Sequence, residues 1–380
     1  MNFEAYNPVH LHFGSKSILQ LGSVVKQYGV KALIVMGKSS AKKYGYFDVV
    51  ADILEKNNIN YEVYSGIKSN PTIDQVDEAI ALGKKEKVDM VIALGGGSVL
   101  DSSKIIAIGI QQDTDTWSMI KGKEKVQGSL PLITILTLAA TGSEMNAAAV
   151  VQNHETHEKV GFWHPVMYPK HSFLNPEYSY TVDAAYTAYG ITDLMAHALE
   201  AYFGGGHAGL SDRLIAGILL EAMEFAPKVL ADPMNYEYRA NIMLAATMAL
   251  NGSTNFGKKG GDWGVHSIGH VLSYLYDTPH GASLSITYPA WMRYHMPVLA
   301  HRIARLGELV FGTSDAAKTI EMLENFWTSI NSPIRLEQAG IPANDENKIL
   351  ELLIRNHAGG QFYALDAKAL EQILKYMYKS

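Results

Sequence analysis

Short apolar runs alternate with amphipathic stretches through the first half of the chain. Lys31–Met36 (KALIVM) is a strand-like run that stops at Gly37, and a helical pattern follows through VVADILEKN. Tyr61–Tyr64 (YEVY) reads as a second strand. Asn70-Pro71-Thr72 then opens a helix with Asp74 in its first turn. Val88–Leu94 (VDMVIAL) is a buried-type strand ending in Gly95-Gly96-Gly97, and Pro131–Leu138 (PLITILTL) is another. Nearly continuous apolar strands separated by amphipathic helices predict a parallel sheet covered by helices on both faces. After Asn175-Pro176 the strand-like runs give way to helical patterns over Ala184–Tyr202, Ser211–Val229, Tyr236–Asn251 and on to the end. The pattern predicts an α/β domain over residues 1–178 and an all-α domain over 179–380, with the boundary between Pro176 and Asp183. No internal repeat or low-complexity segment interrupts either half.

Composition sharpens this picture. With 380 residues, 47% apolar and 18% charged, the chain has the make-up of an ordered globular protein, long enough for two cores. A net charge of −6 offers no cationic surface for a phosphate backbone, so nucleic acid is not an expected partner. There is no cysteine, which excludes disulfides, thiolate zinc sites and cysteine nucleophiles. Any metal must rest on His, Asp, Glu or oxygen ligands. The opening MNFEAYNPVHLHFG has no basic stretch followed by an apolar one, and no apolar run reaches membrane-spanning length. The expectation is a soluble, cytoplasmic protein with no membrane partner.

Two segments have the chemistry of a nucleotide site. Gly95-Gly96-Gly97-Ser98 follows a strand and opens a helix. Glycines there let the backbone approach a diphosphate closely, and the helix start offers free N–H groups and the positive end of its dipole. The spacing is not G-x-G-x-x-G. The plain alternative is a strand-to-helix turn with Ser98 as N-cap and Asp101 completing a capping pair. The second segment, Gly37-Lys38-Ser39-Ser40-Ala41-Lys42-Lys43, follows the first strand. An acidic side chain at that point would accept from a ribose 2′-hydroxyl and repel a 2′-phosphate. Glycine, hydroxyls and lysines instead suit the phosphate of NADP, the plain alternative being a serine cap followed by solvated lysines.

The helical half holds ligand-type pairs. Asp193 and His197 lie four apart in GITDLMAHALEAY, on one helix face, as do His266 and His270 in GVHSIGH; His280 sits in DTPHG. Carboxylate and imidazole donors suit Fe²⁺ or Zn²⁺. Taken singly, Asp193 reads as a helix cap, His197 as a satisfied core histidine and His270 as helix surface; two such pairs in one half favour a metal. A competing group, His154, His157, His164 and His171, reads as a surface hairpin or loop. Ser143 in TGSE is outside G-x-S-x-G, and GGGSVLDSSK lacks the G-K-[ST] ending, which argues against a hydrolase or phosphotransferase.

Together, GGGSVLDSSK at 95–104, TLAATGSEMN at 137–146, GITDLMAHALE at 190–200, GDWGVHSIGH at 261–270 and TPHG at 278–281 resemble the iron-containing (group III) alcohol dehydrogenase family. The likeness is to its butanol dehydrogenase and broad-range aldehyde reductase branch and spans essentially the whole chain. The resemblance implies an N-terminal dinucleotide-binding α/β domain, a helical C-terminal domain and a site in the cleft. It implies that Asp193, His197, His266 and His280 coordinate one divalent metal, Fe²⁺ or Zn²⁺. It implies that Gly95, Gly96, Gly97, Ser98 and Asp101 border the diphosphate and nicotinamide, with Thr137, Thr141, Asn146 and Lys159 as further cofactor contacts and Asn70 and Tyr178 nearby. Many NAD-using members carry Asp where this chain has Gly37. Gly37, Ser39, Ser40 and Lys43 therefore favour NADP(H) over NAD(H), although Lys38 departs from the small residue usual in the NADP-using branch. The implied reaction is hydride transfer between NADP(H) and a primary alcohol or aldehyde, with His270 as the candidate proton relay and a homodimer as the expected assembly.

Two other readings share these residues. Polyol or phosphopolyol dehydrogenases and dehydroquinate synthase, a lyase, have the same two-domain plan; Trp263, Val265, Leu272 and Tyr274 beside the ligands suit uncharged aldehydes better than a charged substrate. A non-catalytic metal- or nucleotide-binding module is disfavoured, because every position carried over holds a competent residue type.

Overall fold

The computed structural model describes residues 2–378. The chain forms two compact units, one made of Tyr6–Val182 with Met234–Met243, the other of Asp183–Pro233 and the chain from Leu244 onward, joined by its first few residues.

In the first unit, six strands make one parallel sheet: β1 (His10–Phe13), β2 (Lys31–Gly37), β3 (Asn60–Ile67), β4 (Met90–Gly95), β5 (Leu132–Leu136) and β8 (His171–Leu174), in the order β1-β8-β5-β4-β2-β3. A separate antiparallel hairpin pairs β6 (Ala148–Asn153) with β7 (Glu158–Trp163). The central strands are apolar throughout because alternate side chains enter two different cores. Leu33, Val35, Val91 and Ala93 pack into one, with the helices Ile73–Glu86 and Gly97–Ile110. Ala32, Ile34, Met36, Ile92 and Leu94 pack into the other, with Val50 and Leu54. The expected strands are present, with ends shifted by at most three residues. The strand order reverses between β2 and β4, so the carboxyl ends of these neighbours, at Gly37 and Gly95, flank the point where open α/β sheets bind ligands.

β1 and β8 carry no apolar run that predicts them, and β8 corrects the expectation for His171. The hairpin turn holds His154 and His157, and His164 follows β7, but His171 lies buried in β8. There His12 Nε2 and His171 Nδ1 are 2.9 Å apart, and Tyr28 Oη is 3.0 Å from His171 Nε2. Burial, then the neighbouring His12 and His10, push the His171 imidazole down to about 4. An unfolded histidine takes its proton near 6.5 while this folded ring stays neutral, so between those values the unfolded chain binds more protons and stability rises with pH. Replacing His171 by Phe should flatten that rise, as read from melting temperatures between pH 4.5 and 7.5; an unchanged slope would contradict it.

The second unit is helical. Its central helix, Ala184–Phe203, is capped by Asp183, whose Oδ1 accepts the Tyr186 N–H at 2.8 Å. From Thr187 to Phe203 nearly every residue is buried, so the helix lacks a solvent stripe and its neighbours surround it. Gly209–Ala231, Gly264–Tyr276 and the 31-residue His280–Val310 are among those that complete the unit. No helix of the described residues is long and apolar enough to cross a membrane.

Candidate metal centre and nucleotide loop

A carboxylate buried at the middle of an apolar helix must be compensated. Asp193 is such a group, and three imidazoles converge on it. Its Oδ1 lies 3.7 Å from His197 Nε2, one turn along the same helix, 4.0 Å from His266 Nε2 and 3.6 Å from His280 Nε2. His266 comes from Gly264–Tyr276, and His280 is the first residue of the helix that follows Pro279. These separations are too long for hydrogen bonds. They are close to the roughly 3.3–3.6 Å edges of a tetrahedron of N and O donors about 2.0–2.2 Å from one ion. Asp193, His197 and His266 are buried while His280 is partly open. His266 Nε2 is buried with no hydrogen-bond partner among the described residues. The donor set fits a divalent cation that accepts nitrogen and oxygen.

Glu200 explains why that nitrogen is available. Its Oε1 accepts from His266 Nδ1 at 2.8 Å and from the His266 backbone N–H at 3.1 Å, and its Oε2 accepts the Trp263 N–H at 2.5 Å. The proton is thereby held on Nδ1, leaving the Nε2 lone pair directed at Asp193. The three bonds also hold Trp263 at a left-handed φ of 66°, which costs a non-glycine residue on the order of 1 kcal/mol. Glu200 is absent from the sequence-derived residues; its signal is the run Asp193, His197, Glu200 along one face of the helix. Asp262 clips the same helix start to the chain near its end, its carboxylate accepting from Phe362, Tyr363 and Gly264 N–H groups. Burial pushes that carboxyl up to about 6.

His270 stands one turn beyond His266, half-buried, its ring centroid 5.4 Å from that of His280. It is not one of the four converging side chains. Of the apolar residues expected beside the ligands, Trp263 places its ring 5.2 Å from His266 and 6.2 Å from His197. Val265 and Leu272 are wholly buried, and Tyr274 is half-buried.

In the other unit, Gly95 ends β4 and Gly97 begins the helix to Ile110. A Cβ at Gly95 would meet Val99 Cγ2 at 2.6 Å, and one at Gly97 would meet Thr141 Cγ2 at 2.4 Å, so close packing alone demands glycine at both. The local capping reading is corrected. Ser98 lies inside the helix and its Oγ donates to the Ser69 carbonyl. Asp101, fully buried, accepts from Ser143 Oγ at 2.6 Å and from Val150 N–H at 2.9 Å. Burial pushes Asp101 up, against the pull of Lys104. Lys104 is itself pushed down to about 8 by burial.

Lys104 Nζ donates to Asn146 Oδ1 at 2.9 Å and to the Ala148 carbonyl at 2.7 Å, while Asn146 Nδ2 donates to the Gly142 carbonyl at 2.8 Å. The Asn146 amide is thus already engaged in holding the 141–148 turn, where Thr141 Oγ1 accepts the Ser143 N–H at 3.2 Å. Thr137 N–H donates to the Gly95 carbonyl at 3.0 Å. Lys159 Nζ reaches Asn70 Oδ1 at 2.8 Å, which ties the hairpin to the loop before the Ile73–Glu86 helix. Tyr178 is buried and stacks on Tyr46 with centroids 4.5 Å apart, its hydroxyl pushed up to about 12 mainly by burial. Beyond β2, Ser39 precedes the short helix Ser40–Lys43 without a side-chain capping bond, and Ser39, Ser40 and Lys43 are exposed.

Comparison with known proteins shows the family of the chain. Residues 8–176 match the family model for iron-containing alcohol dehydrogenase, and residues 187–378 match that for the C-terminal part of the Fe-containing alcohol dehydrogenase family. A probable NADH-dependent butanol dehydrogenase 1 of Bacillus subtilis is 37% identical over 98% of this chain and 99% of its own. The NADPH-dependent aldehyde reductase YqhD of Escherichia coli is 32% identical over 93% and 92%. The crystal structure of NADH-dependent butanol dehydrogenase A from Thermotoga maritima superposes with a TM-score of 0.96 at 37% identity, covering 100% of this chain and 99% of that one. With both halves matched from near the start to residue 378, the chain belongs to the iron-containing alcohol dehydrogenase family.

Proposed function

We propose that this protein is a metal-dependent oxidoreductase that transfers a hydride between NADP(H) and a primary alcohol or its aldehyde. The observation that carries the reading is the convergence of His197, His266 and His280 on the Asp193 carboxylate. These four side chains would hold one divalent ion, Fe²⁺ or Zn²⁺. When bound, such an ion supplies Lewis acidity toward the substrate oxygen, and the nicotinamide gives or takes the hydride.

The chain's own groups have separate tasks. Glu200 keeps the His266 proton on Nδ1. Gly95, Gly96, Gly97 and Ser98 offer backbone to the diphosphate at a helix start. Asp101, Thr137, Thr141, Asn146 and Lys104 hold that loop in shape, and Lys159 with Asn70, and Tyr178, border the cofactor. Gly37, Ser39, Ser40 and Lys43 present no carboxylate to a 2′-phosphate, which supports NADP(H), whereas the Bacillus and Thermotoga relatives are named for NADH. His270 passes the alcohol proton between its ring nitrogens and solvent.

A panel of alcohols and aldehydes with both cofactors, on protein loaded separately with Fe²⁺ and Zn²⁺, tests the reading. Butanal should turn over with NADPH, with kcat/KM at least about tenfold above that with NADH, and glycerol and sugar phosphates should not. No NADPH or NADH oxidation with any aldehyde would overturn the function; a preference for NADH would overturn the cofactor assignment alone. For His270→Gln, kcat should fall roughly 10²-fold, the usual worth of a positioned acid–base group, and its pH profile should flatten; an unchanged kcat and profile would remove the relay.

A further inference from the structure

β1 and β8 bring three imidazoles onto one face of the sheet, at its outer edge. His10 and His12 are two apart in β1 and so share a face, and the register sets His10 opposite His171 of β8. One ring nitrogen of each lies within 4.8 Å of the other two. The ring centroids are 4.4 Å apart for His10 and His12, 5.1 Å for His10 and His171 and 5.2 Å for His12 and His171. Two rings are buried and held: Phe173 stacks on His12 at 4.4 Å, and Tyr28 Oη bonds His171 at 3.0 Å. His10 is exposed on the edge strand, which leaves a way in from solvent.

We propose that His10, His12 and His171 form a second metal site, for a divalent cation of the imidazole-preferring class (Zn²⁺, Ni²⁺ or Cu²⁺), with its remaining coordination positions open to water. The 2.9 Å between His12 Nε2 and His171 Nδ1 is a hydrogen-bond distance, and it also equals the roughly 3.0 Å between two ligands at right angles around an ion about 2.1 Å away. Entry of the cation displaces the one proton between these nitrogens. On His171 that proton moves to Nε2, where Tyr28 Oη accepts it; on His12 it moves to Nδ1. Both rings then present a lone pair without any net loss of protons. Neutral nitrogen donors without a carboxylate select against Mg²⁺ and Ca²⁺. Nothing in this site depends on the centre at Asp193.

The test counts metal on the full chain, stripped with chelator, dialysed against Zn²⁺ and measured by mass spectrometry. Wild type should retain two equivalents, and His10→Ala, which alters only an exposed side chain, should retain one with unchanged kcat. His266→Ala should also retain one equivalent while losing turnover. In that variant, Cu²⁺ should give a paramagnetic resonance spectrum with imidazole nitrogen splitting that disappears when His10→Ala is added. Equal zinc content in wild type and His10→Ala would overturn the proposal, as would a metal-free His266→Ala protein. Two equivalents in His266→Ala would leave this site standing and contradict the centre at Asp193.

Discussion

Changing Asp193 to Asn should empty the proposed metal centre and lower kcat/KM for butanal by at least about a hundredfold. Asp193 supplies the one carboxylate among the four donors, and the three imidazoles are neutral when they bind a cation. The amide keeps the volume and the oxygen but removes the charge that offsets the ion in a buried site. Stripping one partner from a buried charge pair costs about 3–5 kcal/mol, and at 1.4 kcal/mol per factor of ten this weakens the metal on the order of 10² to 4 × 10³-fold. The stability readout runs the other way. Without metal, wild type still bears the desolvation cost of the buried Asp193 carboxylate, which a neutral amide reduces, so metal-free Asp193→Asn should melt at or above metal-free wild type. In a His10→Ala background, added Zn²⁺ should raise the melting temperature of the protein that keeps Asp193 and leave that of Asp193→Asn unchanged, because a ligand stabilises only the folded state that binds it. Wild-type metal content and near-normal turnover in Asp193→Asn would end the claim that this carboxylate is a ligand.

Which parts of this were legible in the sequence follows from how local their causes are. β2, β4 and β5 announce themselves because both faces of each strand are covered, so their side chains are apolar without alternation. The pairs Asp193/His197 and His266/His270 are legible because helical spacing alone puts them on one face. β1 and β8 are four residues each, rich in histidine, and owe their strand form to pairing with each other and with β5. The alternative capping role of Ser98 and Asp101 fails for a similar reason. Their partners are the Ser69 carbonyl, Ser143 and Val150, 29 to 49 residues away, and local spacing carries no information about them. Lys104 is hidden by its type, since a lysine in a helix is ordinarily solvated, yet here it is fully buried in the helix that follows the glycine loop. Glu200 is legible only through the face it shares with Asp193 and His197, because a helix buried on all sides gives no other contrast to mark it.

Glu200 should prove the most sensitive position of the centre outside the four converging side chains. In Glu200→Gln, one carboxylate oxygen becomes an NH₂ group that cannot accept. If the amide oxygen turns to His266, it keeps the bonds to Nδ1 and the backbone N–H but sets NH₂ against the Trp263 N–H, at the left-handed residue that opens the helix. If it turns to Trp263, the His266 ring loses the acceptor that fixes its tautomer. Either arrangement leaves a buried donor unpaired, at about 1–3 kcal/mol, and loosens the ring that carries a metal-directed nitrogen. Metal affinity should fall roughly 10–100-fold, the usual consequence of removing a histidine's outer carboxylate, and kcat should recover at saturating metal. The metal-free variant should also melt below metal-free wild type, opposite to Asp193→Asn. That contrast separates the two roles, since Asp193 opposes the empty fold and serves the ion, whereas Glu200 serves both. A lowered melting temperature with a metal dissociation constant within about twofold of wild type would make Glu200 a structural group only, with no part in directing His266 toward the ion.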